Sequence, residues 1–362
     1  MIEESSTISH LSVAMTTDDV DETQTATGNT VTSSSSRHAQ FYFRCAVVIM
    51  GVVETVGNGL ILYALVAAKQ HKKLPLIVNQ NVLDVFASFF LVASYAVQLC
   101  SIHYAGALGY WLCLALHSEV FASYGMYGSR VNIAAIAVER YLKVVHSVWA
   151  KTKLRPWMVY SEIAFSWLLG MVVETPVLFR ISGVKDGLCY AYQMDTPKDL
   201  IGLVIWYLFS FYVDIFAIFI FCYGRILVAI RRQAKVMAAH SAAGPSTSQS
   251  QQSNQIQTNV IFVSALYVIC HLPQIYLYLD LMVRPTFQGS SIYEVSRFIQ
   301  FLYVTANPFI YAVKFDPVKK ILKDMIPSRM ALWFNHAISR VTSTGNRTTS
   351  APNDQELGDT RA

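Results

Sequence analysis

The stretch IAAIAVERYLKVV, residues 133–145, ends a long apolar run with two ionised side chains, Glu139 and Arg140, side by side. Bringing such groups to the edge of hydrocarbon is costly unless they pair or reach water. The run therefore reads as a helix that leaves an apolar phase at a polar face, with the charged pair placed where it emerges.

The rest of the chain has the same character. Hydrophobic residues make up 54% and charged residues only 14%, whereas an ordinary soluble domain carries about 25% charged residues. Runs of roughly 20 mainly apolar residues, enough to cross a core about 30 Å thick, recur along it. There are seven, at 41–68, 75–101, 112–142, 156–180, 200–230, 257–283 and 292–313. The fold class is an all-α membrane protein, a seven-transmembrane helix bundle.

Sidedness follows from Lys and Arg in the short connections. Lys69, Lys72 and Lys73 follow span one, Lys143, Lys151, Lys153 and Arg155 follow span three, and Arg231, Arg232 and Lys235 follow span five. The opposite face offers only Arg180, Lys185, Lys198 and Arg284. The positive-inside rule places the amino terminus outside and the carboxy terminus inside. Met1 opens no basic and then apolar leader, so span one is expected to target the chain itself.

Three regions are expected. Residues 1–40, rich in Ser and Thr and acidic at Glu3, Glu4, Asp18, Asp19, Asp21 and Glu22, read as a disordered outer tail. Residues 41–327 form the membrane domain, and 328–362 a disordered inner tail with a kinase-substrate stretch, SRVTSTGNRTTS. Within the domain, HSAAGPSTSQSQQSNQ at 240–255 reads as a low-complexity inner linker.

Each span carries one unusual polar or Pro-containing motif. Span one has GNGL with Asn58, and span two NVLDVFAS with Asp84; span three closes on Glu139, Arg140 and Tyr141, and span four has Trp167 and Pro176. Span five ends with Tyr223, span six has CHLP with His271 and Pro273, and span seven has NPFIY with Asn307, Pro308 and Tyr311. In this order and sidedness the motifs resemble those of the rhodopsin-like (class A) G protein-coupled receptors over about residues 41–327. ERYLKVVH and FDPVKKIL look most like invertebrate orphan and neuropeptide-type members of that family.

The resemblance implies a plasma-membrane, multi-pass receptor that binds an extracellular ligand and activates a heterotrimeric G protein. Receptor kinase and arrestin would act at the tail, lipid would surround the spans, and no nucleic acid is expected. It places Arg140 in the cavity that receives the G protein, with Tyr223, Asn307, Pro308 and Tyr311 as switch residues. It pairs Cys113 with Cys189 in a disulfide, with Cys100 as a rival partner. A short amphipathic helix is expected at 316–327. For Asp84, with Asn58, Ser129 and Asn307, it implies a sodium site, but Tyr303 and Val304 stand where small polar groups are usual. Sodium and a protonated Asp84 in a water network both stay open; no other cofactor is expected.

The departures carry information too. His271 replaces the usual span-six Trp, span five lacks its usual Pro, Ser147 stands where a Pro is usual, Ser253 removes an acidic partner for Arg140, and Cys113 lies two residues farther from Arg140 than is usual. Arg130 lies ten residues before Arg140, about 15 Å deeper at 1.5 Å per residue. A charge there needs a partner. Counting back from Tyr223 puts Asp214 at that depth in span five, so Arg130 and Asp214 are expected to pair beside Tyr267 and His271.

Ala122 occupies the place where amine receptors of the family carry an Asp, and the only Lys near span seven, Lys314, lies at its inner end, which disfavours an opsin. Gln98, Glu119, Glu174, Gln274, Tyr276, Tyr278, Asp280 and Glu294 remain in the outer half, a polar and aromatic set suited to a neuropeptide-like ligand. The alternative is a small non-amine molecule. A transporter would want an internal repeat and a channel a lined pore, and neither is visible. An enzyme is not expected, because no HExxH spacing and no Gly-rich phosphate loop is present.

Overall fold

The computed structural model describes residues 30–100, 102–190, 196–239, 248–283, 291–314 and 316–325. Apolar runs become helices wherever backbone donors have no water to bond, because a helix satisfies them internally. Span one is α1 (Thr30–Ala67), span two α2 (Pro75–Leu99) and span three α3 (Gly106–Leu112), a π-helical turn (Cys113–His117) and α4 (Val120–Val145). A short inner helix, α5 (Ser147–Lys153), leads to span four, α6 (Pro156–Ile181). An outer hairpin, β1 (Gly183–Lys185) with β2 (Leu188–Tyr190), precedes span five. That span is α7 (Pro197–Leu208), a second π-helical turn (Phe209–Val213) and α8 (Asp214–Ala239). Spans six and seven are α9 (Ser248–Val283) and α10 (Ser291–Lys314), followed by α11 (Asp316–Met325).

Local chemistry sets several boundaries. α2 has Pro in its first turn, where the missing N–H was unpaired anyway. Thr196 caps α7, its hydroxyl accepting from the Asp199 N–H at 3.2 Å. The hairpin turns on Asp186 and Gly187, both at positive φ (54° and 77°), as a two-residue turn of that hand requires. A Cβ on Gly187 would sit 1.8 Å from the exposed His103 ring, so a larger residue there would have to displace that ring as well as strain the backbone.

The helices bury polar side chains inward and expose apolar ones outward. Asn58, Asn79, Gln80, Asp84, Ser129, Asn132 and Asn307 are buried, while Val52, Leu60, Leu168, Ile220, Ile269 and Phe309 are exposed. A hydrocarbon surrounding stabilises that arrangement, because the polar groups then find one another instead of lipid. Among the described residues five helical stretches are long and apolar enough to cross a membrane by length and composition alone: His38–Ala67, Pro75–Leu99, Pro156–Pro176, Lys198–Arg232 and Ile261–Val283. Spans three and seven carry charges within their length, among them Arg130 in α4 and Arg297 in α10. Gly57 of α1 faces Pro308 of α10, where an added Cβ would meet the ring at 2.9 Å, so the GNGL and NPFIY motifs touch at a point only a glycine allows.

Several boundaries differ from the sequence reading: span three begins at Gly106, not 112, and span five runs to Ala239, not 230. α1 begins at Thr30, not near 41, and α9 begins at Ser248, inside the expected linker. Adding a residue to an existing helix costs far less than nucleating one, so each long span carries polar neighbours with it. The acidic run at 3–22 and the kinase-substrate stretch at 339–350 lie outside the described residues. α11 matches the expected amphipathic helix, with Val318 fully buried against Ile61 and Leu65 of α1.

Candidate functional site

A chain of side-chain hydrogen bonds crosses the middle of the bundle. The Trp167 indole donates to Asn79 Oδ1 at 3.0 Å, Asn79 donates to Asn132 Oδ1 at 2.9 Å, and Asn132 donates to Gln80 Oε1 at 2.8 Å. Gln80 donates to Asp84 Oδ1 at 3.1 Å and also meets the Ser129 hydroxyl. Ser129 donates to Asp84 Oδ1 at 2.6 Å, and Asn307 to Asp84 Oδ2 at 3.3 Å. Spans two, three, four and seven are thereby joined through one carboxylate. Asn58 donates to the Glu54 carbonyl at 3.2 Å, and the buried Oδ1 atoms of Asn58 and Asn307 have no partner.

Toward the inner face, Arg140 Nη2 lies 3.5 Å from Glu139 Oε2, and Glu139 also holds Lys143 one turn on. Arg140 is 8% exposed and its Nε has no partner. A guanidinium with one shared carboxylate and an idle donor is weakly held for its burial. Tyr223 bonds Ser264 of span six at 2.6 Å, and Tyr141 bonds His146 at 2.9 Å. Tyr311 lies in α10, and its side chain and that of Ser253 lie outside the described residues.

Above this, Tyr267, His271, Tyr212 and Tyr303 pack ring to ring, with Tyr267 and His271 centroids 4.0 Å apart. The Tyr267 hydroxyl donates to the Phe211 carbonyl at 2.9 Å. That carbonyl lies in the π-helical turn of span five, which replaces the missing Pro as the local break in the ladder. Pro273 lies inside α9 and is half-buried.

Arg130 does not pair with Asp214. Its guanidinium lies 4.6 Å over the Phe211 ring, and among the described residues no ion pair joins it to a carboxylate. Asp214 is exposed. The cause is azimuth: nine residues separate Asp214 from Tyr223, two and a half turns at about 3.6 residues per turn, so the two point to opposite sides of α8. Tyr223 faces span six, which turns Asp214 outward.

At the outer end, the π-helical turn of span three stops at Ser118, and Glu119 takes a left-handed backbone (φ 59°, ψ 23°) before α4 begins. These irregularities absorb the two additional residues between Cys113 and Arg140. Cys113 still bonds Cys189 on β2, with their Cα atoms 5.5 Å apart, and Cys100 is a free, exposed thiol. Burial first, and nearby Cys100 second, push the Tyr104 hydroxyl in the loop after α2 above its ordinary value; it bonds His117 Nδ1 at 2.8 Å.

The Glu119 carboxylate reaches across the bundle to Arg297 of α10. Arg297 also donates to the Tyr293 hydroxyl at 3.3 Å and lies 5.6 Å over the rings of Tyr293 and Phe301. Beside this pair is a cavity of about 80 Å³ lined by Arg44, Tyr95, Gln98, His117, Glu294 and other residues of spans one, two, three and seven. Gln98 donates to the His117 carbonyl at 3.0 Å, and its own carbonyl accepts from Arg44 at 3.3 Å.

A family profile described as "7 transmembrane receptor (rhodopsin family)" matches residues 57–311. The chain belongs to that family. It is a multi-pass membrane receptor that acts through G proteins, not an enzyme. Its relatives include the fMet-Leu-Phe receptor of Oryctolagus cuniculus, 23% identical over 69% of this chain and 73% of the relative. The C-C chemokine receptor type 8 of Homo sapiens is 26% identical over 80% and 79%, and the galanin receptor type 1 of Homo sapiens 23% identical over 75% and 77%.

The receptor's sequence-expected residues separate into groups. Asp84, Ser129 and Asn307 meet; Tyr267 and His271 meet; Gln98 and Glu119 meet at the outer cavity. Ala122 is fully buried against Val47, Leu91 and Tyr95. Glu174 is buried apart from the cavity, with the Tyr207 hydroxyl 3.5 Å away, and Tyr207 stacks on Tyr278. Gln274 is buried with Oε1 unpaired, and Asp280 is half-buried. Tyr276 is 65% exposed on the outside of α9 and does not belong to the ligand set, because its neighbours on either side of the helix carry the inward face. Sequence reading missed Arg44, His117 and Arg297 in the cavity, and Gln80, Asn79 and Asn132 in the network. Arg297 had a signal: a charge ten residues before Asn307 in an apolar span demands a partner, as Arg130 did.

Proposed function

We propose that this receptor resides in the plasma membrane, amino terminus outside, binds an extracellular peptide at its outer end and opens its inner end around Arg140 to engage a heterotrimeric G protein. The observation that carries the ligand class is the outer cavity, where charged and amide groups from four spans converge with no carboxylate at Ala122 to hold an ammonium. Relatives named for fMet-Leu-Phe, a C-C chemokine and galanin support a peptide over a small non-amine molecule. Arg140, held by one shared carboxylate, supports the inner mouth as the effector site. Receptor kinase and arrestin are assigned to the Ser- and Thr-rich tail on composition alone.

The test is guanine-nucleotide exchange on purified G protein in membranes carrying the receptor, screened against a peptide library. Peptide-stimulated exchange without solute flux is expected. Stimulation by small neutral metabolites, with none by peptides, would replace the ligand class.

At Asp84 the donor set favours water over sodium. Gln80, Ser129 and Asn307 all direct donors at its two oxygens, taking lone pairs that a cation would use, and Tyr303 is turned into the Tyr267 and His271 ring cluster. Replacing sodium with N-methylglucamine at constant ionic strength should leave agonist affinity unchanged within about twofold. A sodium-specific loss of tenfold, about 1.4 kcal/mol, would reverse this assignment.

A further inference from the structure

The outer cavity holds two guanidinium groups, and they are in different states. Arg297 is engaged by Glu119, by Tyr293 and by two ring faces. Arg44, half-buried in the middle of α1, makes one hydrogen bond, to the Gln98 carbonyl at 3.3 Å. Among the described residues it has no carboxylate within ion-pair distance. A guanidinium offers five donors in a planar fork that matches a carboxylate, so four of Arg44's donors are uncommitted beside a space large enough for a small polar group.

The anions of the cavity are differently placed. Glu119 is already paired, and Glu294, in the first turn of α10, lines the same cavity and feels the charge of Arg44 without reaching ion-pair distance. Arg44 therefore has room to take a carboxylate in direct contact. Resting on the peptide-receptor reading above, we propose that this cavity receives a carboxylate of the activating ligand, gripped by Arg44 and shared by Arg297 with Glu119. The carboxylate belongs to a peptide carboxy terminus or to an Asp or Glu side chain; the chemistry at Arg44 is the same.

The contact also gives the ligand a lever. Glu119 is held by Arg297 at the irregular junction that starts α4, the helix that ends in Arg140. A second anion on Arg297 weakens that hold, and a non-glycine residue at positive φ is a place where stored strain can relax.

The experiment is nucleotide exchange with a peptide library in matched forms: free acid, carboxy-terminal amide, and Asp or Glu replaced by Asn or Gln. An activating peptide should lose at least tenfold in potency when one specific carboxylate is neutralised, and the form that loses tells the terminus from a side chain. Arg44→Ala should abolish that preference, Arg44→Lys should keep part of it, and Glu119→Gln, which frees Arg297, should strengthen it. Potent peptides indifferent to neutralisation, or a preference intact in Arg44→Ala, would overturn the carboxylate contact and leave the peptide reading standing.

If no peptide activates, the cavity is tested directly by thermal stability of purified receptor with hippurate against hippuramide. Stabilisation by the acid alone, lost in Arg44→Ala, is expected. Equal or absent stabilisation up to 10 mM, roughly the weak end for such a small ligand, would overturn the proposal.

Discussion

The Glu119–Arg297 pair joins residues 178 positions apart, and its removal should be expensive in a calculable way. The two side chains are 8% and 15% exposed and line the outer cavity, so a charge whose partner goes regains only part of its water. Breaking a buried pair costs about 3 to 5 kcal/mol, most of it from the orphaned charge. Glu119→Gln leaves Arg297 its Tyr293 hydroxyl and two ring faces, which puts that loss near the lower end, about 3 kcal/mol. Arg297→Ala leaves a buried carboxylate at a left-handed backbone position, which puts its loss near the upper end, about 5 kcal/mol. The double mutant has neither orphan, so the two losses should overlap by about 2 to 3 kcal/mol. Thermal melting of detergent-purified, ligand-free receptor measures this, with each single mutant lowered on the order of 10 °C. Strictly additive shifts would refute the pairing and with it the account of how span seven holds the start of α4.

Three further outcomes follow from particular contacts. Arg140→Ala should abolish ligand-dependent nucleotide exchange while binding and surface display persist, measured by radioligand saturation beside exchange. Cys113→Ser and Cys189→Ser should each lose about 4 to 5 kcal/mol, the loop-closure value for a separation of 76 residues, and the double mutant should be no worse, whereas Cys100→Ser should be silent in surface expression. Arg130→Ala should cost about 1 to 2 kcal/mol through its contact with the Phe211 ring, and combining it with Asp214→Asn should add within about 0.5 kcal/mol, because the two side chains do not meet.

The helical class, the receptor family and the boundaries of most apolar spans were legible in the chain alone. Depth in a membrane is linear in residue number, and the apolar stretches and Lys or Arg loops carry their information locally. Counting rise along the helices matched Arg130 with Asp214, and the pair does not form. What counting could not supply was direction. Azimuth advances by about 100° per residue, so a side chain's face depends on helix packing and on every irregular turn between it and a reference. The π-helical turns at Cys113–His117 and Phe209–Val213 have no composition that marks them, yet one brings Cys113 to Cys189 and the other presents the Phe211 carbonyl to Tyr267. Sequence by itself determined which polar residues fall within the apolar spans and at what spacing along each helix. Only the tertiary structure decided their partners, turning Asp214 outward and bringing Glu119 to Arg297, because each buried charge is satisfied by whichever helix face packs against it.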